Sequence, residues 1–353
     1  MGAIRTKKRI IVAKREAKNV IQLNDKPWRW VVGTEAALTM AVPLLFFTLI
    51  GHQQLGFIAS LGGLTALHSP QLTRMERAVV LPMVAVCITL SALLGSLMGH
   101  DIWLRGLCIV MVTLLGSVFM VGYKLGPPGT LMLVLVTAVS GKIASSGTFE
   151  WYVIPELVGL GSIVAYCIVI VPIFFTYIRW GVVHPPKWSV HFSGIHFDSV
   201  AKAITIRIVV GVIIAVVVAC VFKEQRSYWI VLPVIAVLQA SHSRRLTVIK
   251  AIHRVGGSLL GVILFGIILY VNPQGLWLVL VIAVLQFAIE VVVMKHYGLA
   301  LMFITPMALT IALAGGETNV ADTVQSRIID TMIGVAIALV VFFIFEKTRF
   351  KTE

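Results

Sequence analysis

The sequence predicts an all-α membrane protein, with about twelve transmembrane helices arranged as two parallel six-helix repeats. Three observations lead there. The chain contains apolar runs of spanning length, its basic residues fall overwhelmingly on alternate loops, and related residues recur at one fixed offset.

Of the 353 residues, 59% are hydrophobic and only 12% charged, whereas a soluble globule carries about 25% charged residues. The missing charge lies in long apolar runs. About 20 apolar residues cross the hydrocarbon core as a helix, which satisfies its own backbone groups. In the first half the spanning segments are 30–50, 54–68, 78–98, 103–123, 127–141 and 155–178. In the second they are 204–222, 227–241, 249–270, 276–294, 297–315 and 328–346. Around them lie a basic N-terminus at 1–29, a linker at 179–203 and a tail at 347–353. The N-terminal stretch IRTKKRIIVAKREAKNVIQL fits either an amphipathic helix on cytoplasmic headgroups or a positive-inside tail. No cleavable signal is visible, because no small-residue cleavage site follows the first apolar run. The linker is too short for a domain.

Loop charge sets the orientation. With the N-terminus inside, 22 of the 29 Lys and Arg residues face the cytoplasm. Five, namely Arg105, Lys142, Lys223, Arg226 and Arg327, face outward, and Arg207 and Arg254 lie within spans. One missed or extra span would invert every later loop and scramble this bias, so it supports twelve spans with both termini cytoplasmic. The same distribution accounts for the net charge of +14 without nucleic acid as a partner.

A shift of 174 positions brings His68-Ser69-Pro70-Gln71-Leu72-Thr73 onto His242-Ser243-Arg244-Arg245-Leu246-Thr247. At that shift Trp103 meets Trp277, Tyr123 meets Tyr297, Gly141 meets Gly315 and Glu156 meets Asp330. Six spans per half is an even number, so both halves enter from one side. The repeats are therefore parallel, related by an axis along the membrane normal, with the pathway expected between them. The second and eighth spans are short, the fifth opens with Gly126-Pro127-Pro128-Gly129, and the eleventh carries Pro306. Matching irregularities of this kind mark transport sites in some folds and ordinary kinked packing in others.

Charges at membrane depth need a partner or a watery cavity. Glu35, Arg207, Arg254 and Glu290 lie inside apolar runs on the cytoplasmic side. Three readings fit them: ion pairs between helices, snorkelling to the interface, or an anion path coupled to a proton-binding carboxylate, Glu35 or Glu290. Glu156 and Asp330 are read as acids opening the last span of each half, where a helix N-terminus favours them. The two HSxxLT turns lead into basic helix starts, with Arg74 and Arg77 in one half and Arg244, Arg245 and Lys250 in the other. Ser and Thr there cap helices, and a helix start beside arginines also cradles anions. The candidate anion-binding set is Arg77, Arg244, Arg245 and Arg254, with the turn histidines His68 and His242.

Catalytic signatures such as a P-loop, GxSxG or HExxH do not occur, so an enzyme is not expected. Neither a cofactor nor a metal is implied. Cys87, Cys108, Cys167 and Cys220 each sit inside an apolar run without CxxC spacing, as packing residues do.

One resemblance adds to this reading. Arg226-Ser227-Tyr228-Trp229, Leu238-Gln239-Ala240 and His253-Arg254-Val255-Gly256-Gly257 through Gly261, with Arg327 through Gly334, resemble the fusaric-acid-resistance family. The first half looks like a more diverged copy, with Leu61-Gly62-Gly63, and the resemblance covers roughly 27–346. It implies export of aromatic or other carboxylates, and a wider group that includes plant aluminium-activated malate channels. In those a six-helix unit pairs with another copy around an anion path, and this chain resembles such a pair fused into a monomeric pseudo-dimer. Many bacterial relatives carry a large cytoplasmic domain where this chain has the short linker. Arg254 matches the family's arginine, whereas the first half has Val80 there and Arg77 one turn earlier. The expected function is gradient-driven export of organic anions across the inner membrane. A passive anion channel and a non-transporting scaffold that handles membrane lipids are the alternatives.

Overall fold

The computed structural model describes residues 21–349 apart from 124, 127, 181–197, 224–225 and 240–242. His242, most of the linker and the basic segment up to residue 20 therefore lie outside the described residues. The described chain folds into twelve α-helices and one 3-10 turn, with no strand. The first six are α1 (Trp30–Leu49), α2 (Gln53–Gly62, continued by the 3-10 turn Gly63–Leu67), α3 (Arg74–Leu97), α4 (Ile102–Gly122), α5 (Thr130–Ser145) and α6 (Val153–Trp180). The last six are α7 (Ser199–Val221), α8 (Tyr228–Leu238), α9 (Arg244–Val271), α10 (Leu276–Val292), α11 (Tyr297–Ala314) and α12 (Val320–Arg349).

Every apolar run became a helix, but their lengths divide them. Eight are long and apolar enough to cross a membrane. The other four, α2, α5, α8 and α10, have 10, 16, 11 and 17 residues, short of the ~20 that span the hydrocarbon. For α2 and α8 burial explains the shortness. All of Trp229–Leu238 in α8 and Gly56–Gly62 in α2 are buried. A helix enclosed by protein does not need bilayer length, because its neighbours rather than lipid cover its ends. The long helices instead leave apolar faces outward, as Leu38, Val42, Leu45 and Phe46 do on α1.

The helix starts follow local chemistry. Thr73 and Glu76 form a reciprocal capping box at α3. Asp101 and Asp198 cap α4 and α7 with their side chains. Ser243, the N-cap residue of α9, makes no side-chain cap bond. The last helix departs from expectation. It begins at Val320 rather than 328, with the Asn319 side chain accepting from Asp322 N at 3.0 Å. An apolarity count misses its polar first turns. Asp330 consequently lies deep in α12 at 4% exposure instead of opening it, and Arg327 is buried at 2%.

Packing repeats in order. Helix α1 packs on α2, α2 on α6, α3 on α5 and α6, and α4 on α5. Likewise α7 packs on α8, α8 on α12, α9 on α11 and α12, and α10 on α11. Glycine sets the closest approaches. A Cβ on Gly62 would strike the Val158 carbonyl in the α2–α6 contact, and one on Gly334 the Ile230 carbonyl in α8–α12. The two sets of helices meet mainly along α1–α10 and α4–α7. Gly33 lies against Phe287 and Val291 in the first seam, and Gly106 against Val216 in the second.

Gly334→Val is therefore expected to cost about 1–3 kcal/mol, because backbone rather than a flexible side chain blocks the added carbons. Gly266 in α9 has open space around its Cβ position, so Gly266→Ala is expected to be neutral or mildly stabilising. Thermal unfolding in detergent checks the pair, and equal losses in both would contradict the packing.

Candidate functional site

A cavity of about 660 Å³ opens between the first six and the last six helices, a size ordinary for small-ligand sites. Its apolar lining includes Leu67, Met120, Met132, Ala236, Ile289 and Met294. The polar lining is Arg29, Gln239, Lys250, Arg254, Glu290 and Tyr297. Three cations thus face one carboxylate, and the interior favours an anion.

Each polar group is held by its helix. Lys250 and Arg254 stand four residues apart on α9 and so share one face. Arg254, 5% exposed, donates from Nη1 to the Tyr297 hydroxyl at 3.0 Å. The Lys250 ammonium lies 4.9 Å from the centre of the Tyr297 ring. Tyr297 opens α11, with His296 capping that helix through Nδ1. Across the cavity Arg29, just before α1, approaches Glu290 of α10 at 3.6 Å. Arg29 also lies within electrostatic reach of Glu35 and Arg77.

Glu35 and Arg77 pair with each other at 2.7 Å, both buried, and Arg77 also donates to the Ala66 carbonyl at 2.7 Å. That carbonyl belongs to the 3-10 turn ending α2. In the last six helices Arg207, 5% exposed, donates to the Leu238 carbonyl that ends α8 and stacks 5.0 Å from the Phe342 ring. Both short helices therefore end against a buried arginine, which satisfies terminal carbonyls and offsets the negative end of the helix dipole. Arg207 does not snorkel.

The loop between α4 and α5 closes one wall. Gln71 donates to the Leu125 carbonyl at 2.7 Å and Ser69 to the same oxygen at 3.1 Å. From the other set of helices, Gln239 donates to the Pro128 carbonyl at 3.2 Å. Gly126 and Gly129 have φ of +75° and +62°, and a Cβ on either would collide with the amide of Gln71 or Gln239 respectively. Left-handed backbone and close approach together require glycine at both positions.

Of the candidate residues read from sequence, Arg254 and Glu290 line the cavity. Glu35 and Arg77 lie behind it as a pair. His68 is buried beside Leu67, its Nδ1 3.1 Å from the Leu64 carbonyl. Arg244 and Arg245 are exposed, Arg244 over the Phe343 ring at 5.0 Å. Arg29, Lys250, Gln239 and Tyr297 were not singled out as site residues. The Lys250–Arg254 spacing was the available signal, since four residues put both cations on one helical face.

At the far end of the helices a second polar group ties the two sets together. Arg226 binds Glu317 at 2.7 Å and Asp322 at 3.2 Å, and Lys142 of α5 lies 3.5 Å from Glu317. Burial pushes the Glu317 carboxyl up, but hydrogen bonds and charge from Arg226, then Lys142, bring it below the ordinary glutamate value. Among the described residues no cluster of three metal-ligating side chains occurs.

Comparison with known proteins follows this geometry. Residues 201–341 match the family model described as fusaric acid resistance protein-like, which bears out the resemblance drawn from the second half. The chain is 35% identical over 122 residues to the uncharacterized membrane protein YvaC of Bacillus subtilis, covering 34% of this chain and 19% of that protein. It is 30% identical over 164 residues to the uncharacterized protein slr1298 of Synechocystis, covering 45% of this chain and 21% of that protein. The matches thus span about a fifth of each relative's length. No solved structure matches the chain.

Two outcomes follow from these ion pairs. Glu35→Gln is expected to cost about 3–5 kcal/mol, since it leaves Arg77 buried without its counter-charge, whereas joint replacement by Leu and Met costs less. Equal losses in thermal unfolding would show the pair is not coupled. Folding lowers the Glu317 carboxyl, so its stabilisation is present above the ordinary glutamate value and disappears as pH falls through the lowered one. The stability gap between the wild type and Glu317→Gln should hold above about pH 5 and narrow below about pH 4. A gap independent of pH would refute the pairing.

Proposed function

We propose that this multi-pass membrane protein, fusaric-acid-resistance-like over residues 201–341, exports small organic anions, with carboxylates, aromatic ones included, as its substrates. The observation that carries this reading is the cavity, where Arg29, Lys250 and Arg254 outnumber the single acid Glu290 within a largely apolar wall. A carboxylate about 4 Å from one such cation gains on the order of 4 kcal/mol at an effective dielectric of 20. Burying about 100 Å² of an aromatic ring against Leu67, Met120 and Met132 adds on the order of 2.5 kcal/mol. Charge sets the substrate class, and the apolar wall favours aromatic members of it.

The architecture belonging to this reading has twelve spans in two parallel six-helix halves, α1–α6 and α7–α12. The repeated packing order supports it, as do the paired seams α1–α10 and α4–α7. Basic loops favour cytoplasmic termini in an inner membrane, with anionic lipid around them. The cavity then opens toward the cytoplasm. Helices α2 and α8 complete the twelve as short, protein-enclosed spans. Transport is driven by an ion or proton gradient, and Glu290, paired with Arg29, or Glu35, paired with Arg77, takes the coupling proton. The Arg226–Glu317–Lys142 group ties α5 to the loops before α8 and after α11 at the far end, as expected of a carrier that alternates rather than of an open channel.

Proteoliposomes loaded with radiolabelled benzoate test the proposal. The wild type should release benzoate under a proton gradient, and Arg254→Gln should slow release at least tenfold. Absence of wild-type flux would overturn the function, and unchanged flux in the variant would remove Arg254 from it. Large unitary currents in a planar bilayer would make the protein a channel.

A further inference from the structure

Beyond the cavity, the packed region of α8, α9, α11 and α12 holds more buried donors than the fold uses. Arg327 of α12 is 2% exposed, and among the described residues its guanidinium makes no hydrogen bond or ion pair. Its recorded neighbours are the Trp229 ring at 5.4 Å and, within electrostatic reach, Arg254, Tyr228, Asp330 and Tyr297. Two buried guanidiniums therefore act on each other with Asp330 as the nearby acid. Hydroxyls one helical turn from each arginine, Ser258 on α9 and Thr331 on α12, are also buried without a partner. Arg254 and Arg327 each keep an unpartnered Nε as well.

A buried donor without an acceptor is costly, and a buried cation beside another cation more so. Each such group in a native fold calls for an explanation, and a ligand that completes it is one. The chemistry that would satisfy this set is an anion with several acceptor atoms and a flat shape. A guanidinium fork matches a carboxylate at two points, and the rings of Trp229, Tyr228 and Tyr297 match an attached aromatic group.

The contacts form two groups. Toward the cavity, Lys250 rests on the Tyr297 ring and Arg254 holds the Tyr297 hydroxyl. Toward the far end of α11, where Glu317 meets Arg226, Arg327 and Arg226 both stand over the Trp229 ring. Electrostatic reach between Arg254 and Arg327 joins the two groups.

We propose that Arg327 is a second binding station for the substrate carboxylate, reached from the cavity by way of Arg254 and Tyr297 and closed at the far side by Trp229. This rests on the export reading above and routes the anion through the last six helices rather than along the seams. A carboxylate leaving Arg254 moves to a group that has lacked an acceptor, so neither site holds it too tightly to release.

Detergent-purified full-length protein is titrated with sodium benzoate and, separately, sodium chloride, while thermal unfolding is followed. Benzoate should raise the unfolding temperature of the wild type, and chloride at equal concentration should not. Arg327→Gln, relieved of an unpartnered cation, should unfold no lower than the wild type without benzoate, yet need at least tenfold more benzoate for half the shift. Arg327→Lys, which keeps the charge but not the fork, should fall between. A wild-type benzoate response in Arg327→Gln overturns the station. Marked loss of ligand-free stability in that variant assigns Arg327 to the scaffold and overturns it as well. An equal response to chloride overturns the carboxylate assignment. A wild type that neither responds to benzoate nor transports it instead overturns the export reading itself, so the two failures are distinguishable.

Discussion

A helix that stops inside a protein, away from water, must find donors for its last carbonyls. Much of this structure is organised around that requirement, because α2 and α8 both stop within the bundle. The donors come from Arg77 and Arg207, each reaching in from a neighbouring helix. A guanidinium used this way is itself buried, and burial of its charge then needs an answer. Glu35 supplies it for Arg77 and the Phe342 ring for Arg207. Because the short helices stop early, the space beyond them is free, and Leu67 and Ala236 from their ends line the resulting cavity.

The helices were legible in the sequence because lipid-facing and core-facing residues are both apolar, so each run appears whatever its surroundings. That insensitivity is also why the site was only half legible. Apolarity does not distinguish α8, enclosed on all sides, from α9, which leaves Ile252, Leu259 and Ile263 exposed. Nor does it give helix rotation, which decides that Arg254 faces the cavity while Arg244 points away. Charge within an apolar run was the dependable signal, and Glu35, Glu290, Arg207 and Arg254 all proved buried. Charge at the edge of a run says less. Position puts Arg105, Arg226 and Arg327 at helix ends and gives no sign that all three, like Arg77, are under a tenth exposed. The start of α12 shows why, since its first turns are polar in composition and helical in structure.

The buried arginines answer to different partners. Arg77 has a carboxylate, Arg226 has two, and Arg254 has a neutral tyrosine hydroxyl. The paired carboxylates offset the charge of Arg77 and Arg226 and hold helices together. Arg254, in the cavity wall, meets a hydroxyl that polarises toward it without cancelling its charge.

The loop from Leu125 to Gly129 is tied on one side by Gln71 and Ser69 and on the other by Gln239, from opposite sets of helices. Its two left-handed glycines leave no slack, since each amide presses where a side chain would begin. A displacement of α8 against α2 by about an ångström takes the longer bond, from Gln239, past hydrogen-bonding range. The two bonds from Ser69 and Gln71 would then keep the loop with the first six helices. The weaker tether would make this loop a mechanical fuse: were the two sets of helices to shift, the single bond from Gln239 would part before the pair from Ser69 and Gln71.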